Sequence, residues 1–201
     1  MLTPDALQQC AGRVAARMEQ VADELNTADG LLGDGDLGVT MVRGCRLVVE
    51  ALADLPTNVS ATLARCAQAF TKTSGSSFGT LVATALLAAA KQIKGRDAVP
   101  LAELPALLQA GIDAMRARGK ANIGDKTILD GLDAVREALA ALPAASSGET
   151  LAAAARQAAA AALDAFRERP NRIGRARIFG ERSIGLDDPG MLALVRILDA
   201  L

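Results

Sequence analysis

Apolar residues recur along this chain at three- and four-residue steps, the spacing that turns one side of an α-helix toward a core. Leu7, Val14, Met18, Val21 and Leu25 form a first stripe, and Val39, Val42, Cys45, Val49 and Leu52 a second. A third covers about 58–72 with Leu63, Cys66 and Phe70. The stretch 80–93 is apolar on nearly all sides, which predicts a central buried helix. A fifth stripe runs Leu104, Leu108, Ile112, Met115, and a sixth Ile128, Leu132, Val135, Leu139. Residues 152–166 are almost polyalanine, and the last stripe carries Leu192, Val195 and Leu198. Thr3-Pro4 and Asp188-Pro189 each read as an N-cap followed by proline at the first helical position. No run alternates like a half-buried strand, and no Asn-Gly or Asp-Gly turn joins strand-like runs. Eight helices with short connections predict an all-α fold, an antiparallel barrel or bundle, as one domain over 1–201.

Composition removes whole chemistries. Apolar residues make up 51% of the chain and alanine about a fifth, but aromatics are only 2%, all four of them Phe. There is no histidine, so His metal sites, Ser-His-Asp or Cys-His nucleophile systems and phospho-histidine relays are excluded on this chain. Scarce aromatics argue against stacking platforms for single strands, and a net charge of −1 offers no basic excess for nucleic acid or an anionic membrane. Cys10, Cys45 and Cys66 are odd in number, far apart and set among apolar neighbours, as expected of small buried thiols in a reducing cytosol. The first residues lack the basic and apolar regions of a secretory leader, and the run 78–90 is too short to span a bilayer, which together predict a cytoplasmic protein.

The chemistry lies between the helices. Asp29-Gly30-Leu31-Leu32-Gly33-Asp34-Gly35-Asp36-Leu37-Gly38 places three carboxylates among four glycines, between two helical stripes. Glycine permits the tight backbone that lets such side chains converge, and converging carboxylates repel unless a cation neutralises them. An all-oxygen cluster suits a hard ion such as Mg²⁺, which commonly shares its coordination with substrate phosphates. An acidic turn with Asp36 capping the next helix is the plainer alternative. Lys72-Thr73-Ser74-Gly75-Ser76-Ser77-Phe78-Gly79-Thr80 precedes the fourth helix and reads equally as a phosphate cradle or as an ordinary Gly/Ser cap. In Arg118-Gly119-Lys120-Ala121-Asn122-Ile123-Gly124-Asp125-Lys126-Thr127, Asp125 or Thr127 is a candidate cap of the next helix, and the charges can be read as ordinary solvated turn residues. The stretch 172–190 carries Arg172, Arg175, Arg177 and Arg182, is too long for a mere connector and is a candidate functional loop. Basic loop, acidic cluster and Gly/Ser cradle together describe phosphoryl transfer, which needs positioning and charge neutralisation and can proceed without histidine.

These four segments, in this order, resemble the nucleotide-binding L subunit of dihydroxyacetone kinase, the DAK2-type domain. The matches are Asp29 before Gly33-Asp34-Gly35-Asp36-x-Gly38; Ser74-Gly75-x-x-Phe78-Gly79-Thr80; Arg118-Gly119-Lys120-Ala121 with Gly124-Asp125-Lys126-Thr127; and Gly180-Glu181-Arg182-Ser183-Ile184-Gly185 before Asp188-Pro189-Gly190. The resemblance implies an eight-helix antiparallel barrel with the nucleotide at one rim. It implies that Asp29, Asp34 and Asp36 bind two Mg²⁺ ions bridging the phosphates of ADP or ATP. Leu37, Gly38, Val39, Thr40, Thr73 and Ser74 would line the nucleotide, Gly119 and Ile128 would lie beside it, and Asp188, Pro189 and Gly190 would close over it. Arg175 would contact the nucleotide and stabilise the transferring phosphoryl group.

By the same resemblance the acceptor ketose, dihydroxyacetone, sits on a separate K subunit through that subunit's own histidine. In the phosphotransferase-linked form, ADP stays bound as a coenzyme that a phosphocarrier M subunit recharges. A homodimer is compatible with this reading. Two positions depart from the family pattern. Leu37 stands where the family usually has His, and Arg177 replaces a small polar residue in Gly174-Arg175-Ala176-Arg177-Ile178-Phe179-Gly180. These departures motivate two alternatives: a non-catalytic ADP-binding module, or a kinase for a related four-carbon ketose.

Overall fold

Each of the eight stripes folds as an α-helix. The computed structural model describes residues 1–73 and 76–201. The helices are α1 (Pro4–Leu32), α2 (Leu37–Ala51), α3 (Val59–Thr71), α4 (Ser77–Gln92), α5 (Leu104–Gly119), α6 (Ile128–Ala140), α7 (Gly148–Arg167) and α8 (Pro189–Leu198). Short 3₁₀ segments occur at Leu101–Glu103 and Ala176–Ser183. Both proline starts are as expected: the Thr3 hydroxyl accepts from the Ala6 amide at 3.2 Å, and the Asp188 carboxylate from the Met191 amide at 2.9 Å. Among the described residues the only β pairing is an isolated bridge between Leu2 and Val99, and no helix is long and apolar enough to cross a membrane.

Consecutive helices pack side by side, and α8 returns against α1 to close a ring. The closing seam is antiparallel: Arg196 grips Glu24 through two hydrogen bonds of 2.6 and 2.8 Å, and Arg13 reaches the carbonyl of Ala200. The seam holds the Glu24 carboxyl below its ordinary range, chiefly through the Arg196 hydrogen bonds. Inward side chains from all eight helices merge into one core containing Met18, Leu25, Met41, Ile112, Met115 and Met191. On α7 the inward face is Leu151, Ala155, Ala159, Ala162 and Leu163, so its alanines serve close packing.

Two expectations need correction. The all-apolar α4 is a wall of the ring, flanked by α3 and α5, and is not a central helix. Only Gly79, Ala83 and Ala90 are buried on it, and Leu87 is 42% exposed. A closed ring fills its interior with side chains, which leaves no room for a helix inside. On α2 the inward stripe is Leu37, Met41, Cys45, Val48 and Leu52, whereas Val39 and Val49 face out at 60% and 41% exposure. Valines on the outer face blurred the phase, and close contacts set it. A Cβ on Gly38 would lie 2.0 Å from the Ala22 carbonyl oxygen of α1, and one on Gly44 would lie 2.4 Å from the Phe70 ring of α3.

Gly44→Ala should therefore lower stability by about 1–3 kcal/mol through overpacking. Urea unfolding should show much of that loss recovered when Phe70→Leu accompanies it. An equal loss in both backgrounds would place the collision elsewhere.

Candidate functional site

Because the helices alternate in direction, the α1–α2, α3–α4, α5–α6 and α7–α8 connections all lie at one rim. They enclose a cavity of about 590 Å³, within the range of small-molecule sites.

The acidic part begins on a helix. Asp29 and Gly30 lie in the last turn of α1, which runs through to Leu32, so the cluster is less loop-borne than its glycines suggest. Asp29 carries one anchor: its Oδ2 accepts from the Asp36 amide at 3.0 Å. Gly35 takes the left-handed conformation, with φ 76, that brings the chain back between Asp34 and Asp36. One oxygen from each of Asp29, Asp34 and Asp36 falls within 4.8 Å of the others.

Asp36 occupies the N-cap position of α2 but makes no capping hydrogen bond with its side chain. Asn26, one turn before Asp29 on α1, does that work instead. Its Oδ1 accepts from the amides of Gly38 and Val39 at 2.8 and 3.2 Å. Asp36 therefore does not cap α2 with its side chain, and its carboxylate is left to face Asp29 and Asp34. Asn26 carried no signal in the sequence, because a cap normally lies next to the helix it serves.

The basic part comes from the α7–α8 connection. Arg175 ion-pairs with Asp34, so its guanidinium lies directly against the acidic cluster. Gly119 and Ile128 form one wall, and Asp188, Pro189 and Gly190 another. Leu37 contributes an apolar patch and is only 5% exposed. Thus Asp29, Asp34, Asp36, Leu37, Gly119, Ile128, Arg175, Asp188, Pro189 and Gly190 share one cavity. The described walls also include Ser76, Ser77, Phe78, Thr80, Arg118 and Thr127, which sequence motifs pointed to only as groups.

Gly38, Val39, Thr40 and Thr73 are not among the described lining residues. Gly38 is pressed against α1, Val39 points outward, and the Thr73 hydroxyl donates to the Phe70 carbonyl at 2.6 Å. Ser74 lies outside the described residues. Arg177, with Lys120, Ile178 and Phe179, lines a second hollow of about 700 Å³ that shares Asp34, Gly119 and Arg175 with the first.

The cavity rests on buried polar groups that hydrophobic patterning did not show. Asp130 is 3% exposed; its carboxylate accepts from the Gly124 and Thr127 amides, completing a capping box with Thr127. Burial raises its carboxyl above the ordinary value. Lys126 is fully buried, so it is not a solvated turn residue. Burial lowers its ammonium, against the opposing pull of Asp188, Asp187 and Glu168. Asp188 caps α8, and burial pushes its carboxyl up to about 6, opposed by hydrogen bonds from Met191 and Asn171 and by the charge of Lys126.

Residues 31–201 match the DAK2 domain family. The chain belongs to that family. This DAK2 domain is 32% identical over 202 residues to the ADP-binding subunit DhaL of a PTS-dependent dihydroxyacetone kinase from Lactococcus lactis, covering 100% of this chain and 97% of that protein. It is 35% identical over 204 residues to L-erythrulose 1-kinase of Mycolicibacterium smegmatis, covering 96% of this chain but 36% of that enzyme. The dihydroxyacetone kinase of C. freundii superposes on it with a TM-score of 0.75 at 25% identity, over 100% of this chain and 35% of that one. A structure of that kinase with AMP-PNP and Mg²⁺ gives 0.74 at the same identity, over 96% of this chain and 32% of that one. The DAK2 domain thus spans about a third of these larger relatives and nearly the whole of the DhaL subunit. The all-helical fold expected from hydrophobic spacing is the fold of these relatives.

In a carboxyl-carbon NMR titration, Asp188 should titrate near pH 6, well above an ordinary aspartate. The folded carboxyl holds its proton longer than the unfolded one, so this group's contribution to stability is full below about pH 4 and is lost as pH rises through 6. A midpoint near 4 would remove the burial assigned to it.

Proposed function

We propose that this chain is the nucleotide- and Mg²⁺-binding part of a dihydroxyacetone-type kinase. On this reading it holds ATP at the rim cavity and passes the terminal phosphoryl group to a ketose carried by a partner K subunit. One observation carries the proposal. Three carboxylates with oxygens within 4.8 Å of one another lie directly against Arg175 in a cavity floored by helix ends. A carboxylate-only donor set suits a hard divalent ion, and phosphoryl transfer needs charge neutralisation on both sides of the migrating group.

Asp29, Asp34 and Asp36 would hold two Mg²⁺ ions, whose chemistry is to neutralise the nucleotide phosphate oxygens. Asp29 is oriented for this by its bond from the Asp36 amide, and Asn26 leaves Asp36 free by capping α2 itself. Leu37, Ile128 and the small residues at 119 and 190 offer the apolar, close-fitting walls that a nucleoside requires. Arg175 is the catalytic residue of this reading. Its guanidinium stands where it can stabilise negative charge on the moving phosphoryl group once the acidic cluster is otherwise neutralised.

The name of the Lactococcus relative, an ADP-binding subunit, supports the nucleotide, and the C. freundii complex with AMP-PNP and Mg²⁺ supports both ligands. The L-erythrulose kinase supports a four-carbon ketose as an alternative acceptor. The PTS-dependent relative supports a phosphotransferase-linked mode; on that mode a phosphocarrier M subunit recharges bound ADP in a cytoplasmic complex. A homodimer of the chain is compatible with all of these.

Mixing the chain with a K-type partner, Mg²⁺, ATP and either dihydroxyacetone or erythrulose should give ketose phosphate above the partner-alone blank. No product with either ketose, and none when an M subunit and its phosphodonor replace ATP, would overturn the kinase reading. Arg175→Ala should abolish turnover and leave ADP affinity nearly intact, whereas a non-catalytic module would show no turnover in either form. Asp34→Asn should weaken Mg²⁺-dependent ADP binding at least tenfold, about 1.4 kcal/mol or more, because a charged ligand is lost. Unchanged affinity by calorimetry would refute the metal assignment.

A further inference from the structure

Lys126 is the one lysine with no solvent exposure, and nothing in the proposed chemistry uses it. It stands just before Thr127, the N-cap of α6, and takes a left-handed conformation with φ 60, unusual for a residue with a Cβ. Its Nζ donates to the carbonyls of Arg167 and Arg169 at 3.3 and 2.8 Å and to that of Ser183 at 2.8 Å. An ammonium has three N–H groups, and all three are spent on backbone oxygens. The first oxygen belongs to Arg167, the last residue of α7, and the second lies two residues beyond it, at a helix C-terminus where the dipole favours a cation. The third belongs to the last residue of the 3₁₀ segment Ala176–Ser183. The three acceptors thus bracket the stretch that carries Arg175.

The same residue is tied to the other wall. The Lys126 carbonyl accepts from Asn171 Nδ2 at 2.9 Å, and Nδ2 also donates to Asp188 Oδ2 at 2.8 Å. The Asn171 amide donates to the Ser183 hydroxyl at 2.8 Å, and that hydroxyl donates to the Gly180 carbonyl at 2.6 Å. Asn171 is 3% exposed and Ser183 is fully buried. Arg175 therefore lies between carbonyls that the ammonium holds, and Asp188 is joined to the same lysine through Asn171, which bonds the Lys126 carbonyl and the hydroxyl of Ser183. Capping of α6 does not need that charge, because Thr127 and Asp130 supply it. A buried charge is costly unless its hydrogen bonds are complete, and here they are complete only while this connection lies folded over the rim.

We propose that Lys126 is a positioning residue for phosphoryl transfer: its ammonium, held by the carbonyls of residues 167, 169 and 183, sets Arg175 and Asp188 across the cavity from the carboxylate triad. This role rests on the kinase reading of the cavity. Arginine cannot replace it, because a planar guanidinium does not direct three N–H groups at carbonyls that converge on one nitrogen. The loss of one such support displaces a reacting group by an ångström or so, which costs turnover far more than it costs ligand binding.

The test compares wild type with Lys126→Met and Lys126→Arg in three measurements: amide hydrogen exchange, calorimetry with Mg·ADP, and turnover with the K-type partner. In both variants, exchange over residues 168–187 should rise at least ~tenfold while that of α1–α3 stays put. The kcat should fall ~100-fold with KM for the ketose changed less than about threefold, and ADP should bind within ~tenfold of wild type. A Lys126→Arg chain that restores wild-type kcat, or a kcat within threefold of wild type in Lys126→Met, would overturn the role. So would a loss of protection spread evenly over the molecule, which would mark a purely structural lysine. If Lys126→Met does not fold, Ser183→Ala cuts the second link and leaves the ammonium in place. It should show the same local exchange and the same kcat-only loss at smaller size, and no change in either overturns the proposal. A wild-type chain that binds no Mg·ADP sinks the reading of the cavity itself. A wild type that binds and turns over beside an equally active Lys126→Met sinks only the positioning role.

Discussion

Eight helices that alternate in direction can bring only every second connection to the same end. That constraint organises the molecule. The α1–α2, α3–α4, α5–α6 and α7–α8 connections carry the carboxylates, the small-residue segment, the lysine turn and the arginines, and all of them fall at one rim. The other end receives the remaining connections and both termini. It is closed by apolar packing of Val59, Ile93, Val99 and Leu107, by the Leu2–Val99 bridge, and by the paired hydrogen bonds of Arg96 with Glu103. Chemistry and closure are thereby separated by the length of a helix. The α1–α8 seam makes this possible, since an open row of helices would splay the first and last of the four rim segments apart.

At the rim, opposite charges are held in two different ways. The carboxylates are half-buried or exposed and receive little from the protein beyond the Asp36 amide on Asp29 and the Arg175 guanidinium on Asp34. On the proposed reading a divalent cation relieves their mutual repulsion. The groups that support them are buried and fully paired: Asp130 by two amides, and Lys126 by three carbonyls. This division suits a site that must exchange ligands. The exposed carboxylates stay hydrated, and the buried groups are locked in a low dielectric, where a hydrogen bond is stronger and its loss costs more.

Legibility followed the range of the interaction. Helix periodicity and local caps involve residues within four positions of one another, so all eight helices and the Thr3 and Asp188 caps could be read directly from the chain. The inward phase of α2 could not, because Val39 and Val49 are as apolar as Met41 and Val48, and the choice was made by Gly38 and Gly44 meeting other helices. The place of α4 could not either, since a wall helix and a central one share the same composition when the wall residues are alanines. Within the site, the aspartates announced themselves by unusual density among glycines. Asn26 did not, because it caps a helix eleven residues away.

The amino-acid sequence by itself determined that this is an all-helical chain with no histidine chemistry of its own, and it singled out the charged, glycine-rich segments at the helix junctions. The tertiary structure alone decided which of those residues face one another. It joined Arg175 to Asp34 across 141 positions of chain (175 minus 34). It also turned Lys126, which reads as a solvated turn residue, into a buried ammonium gripping α7 and the 3₁₀ segment. The physical reason is that a helix is specified by neighbours along the chain. The burial and pairing of a charge are specified by whatever the closed ring brings against it.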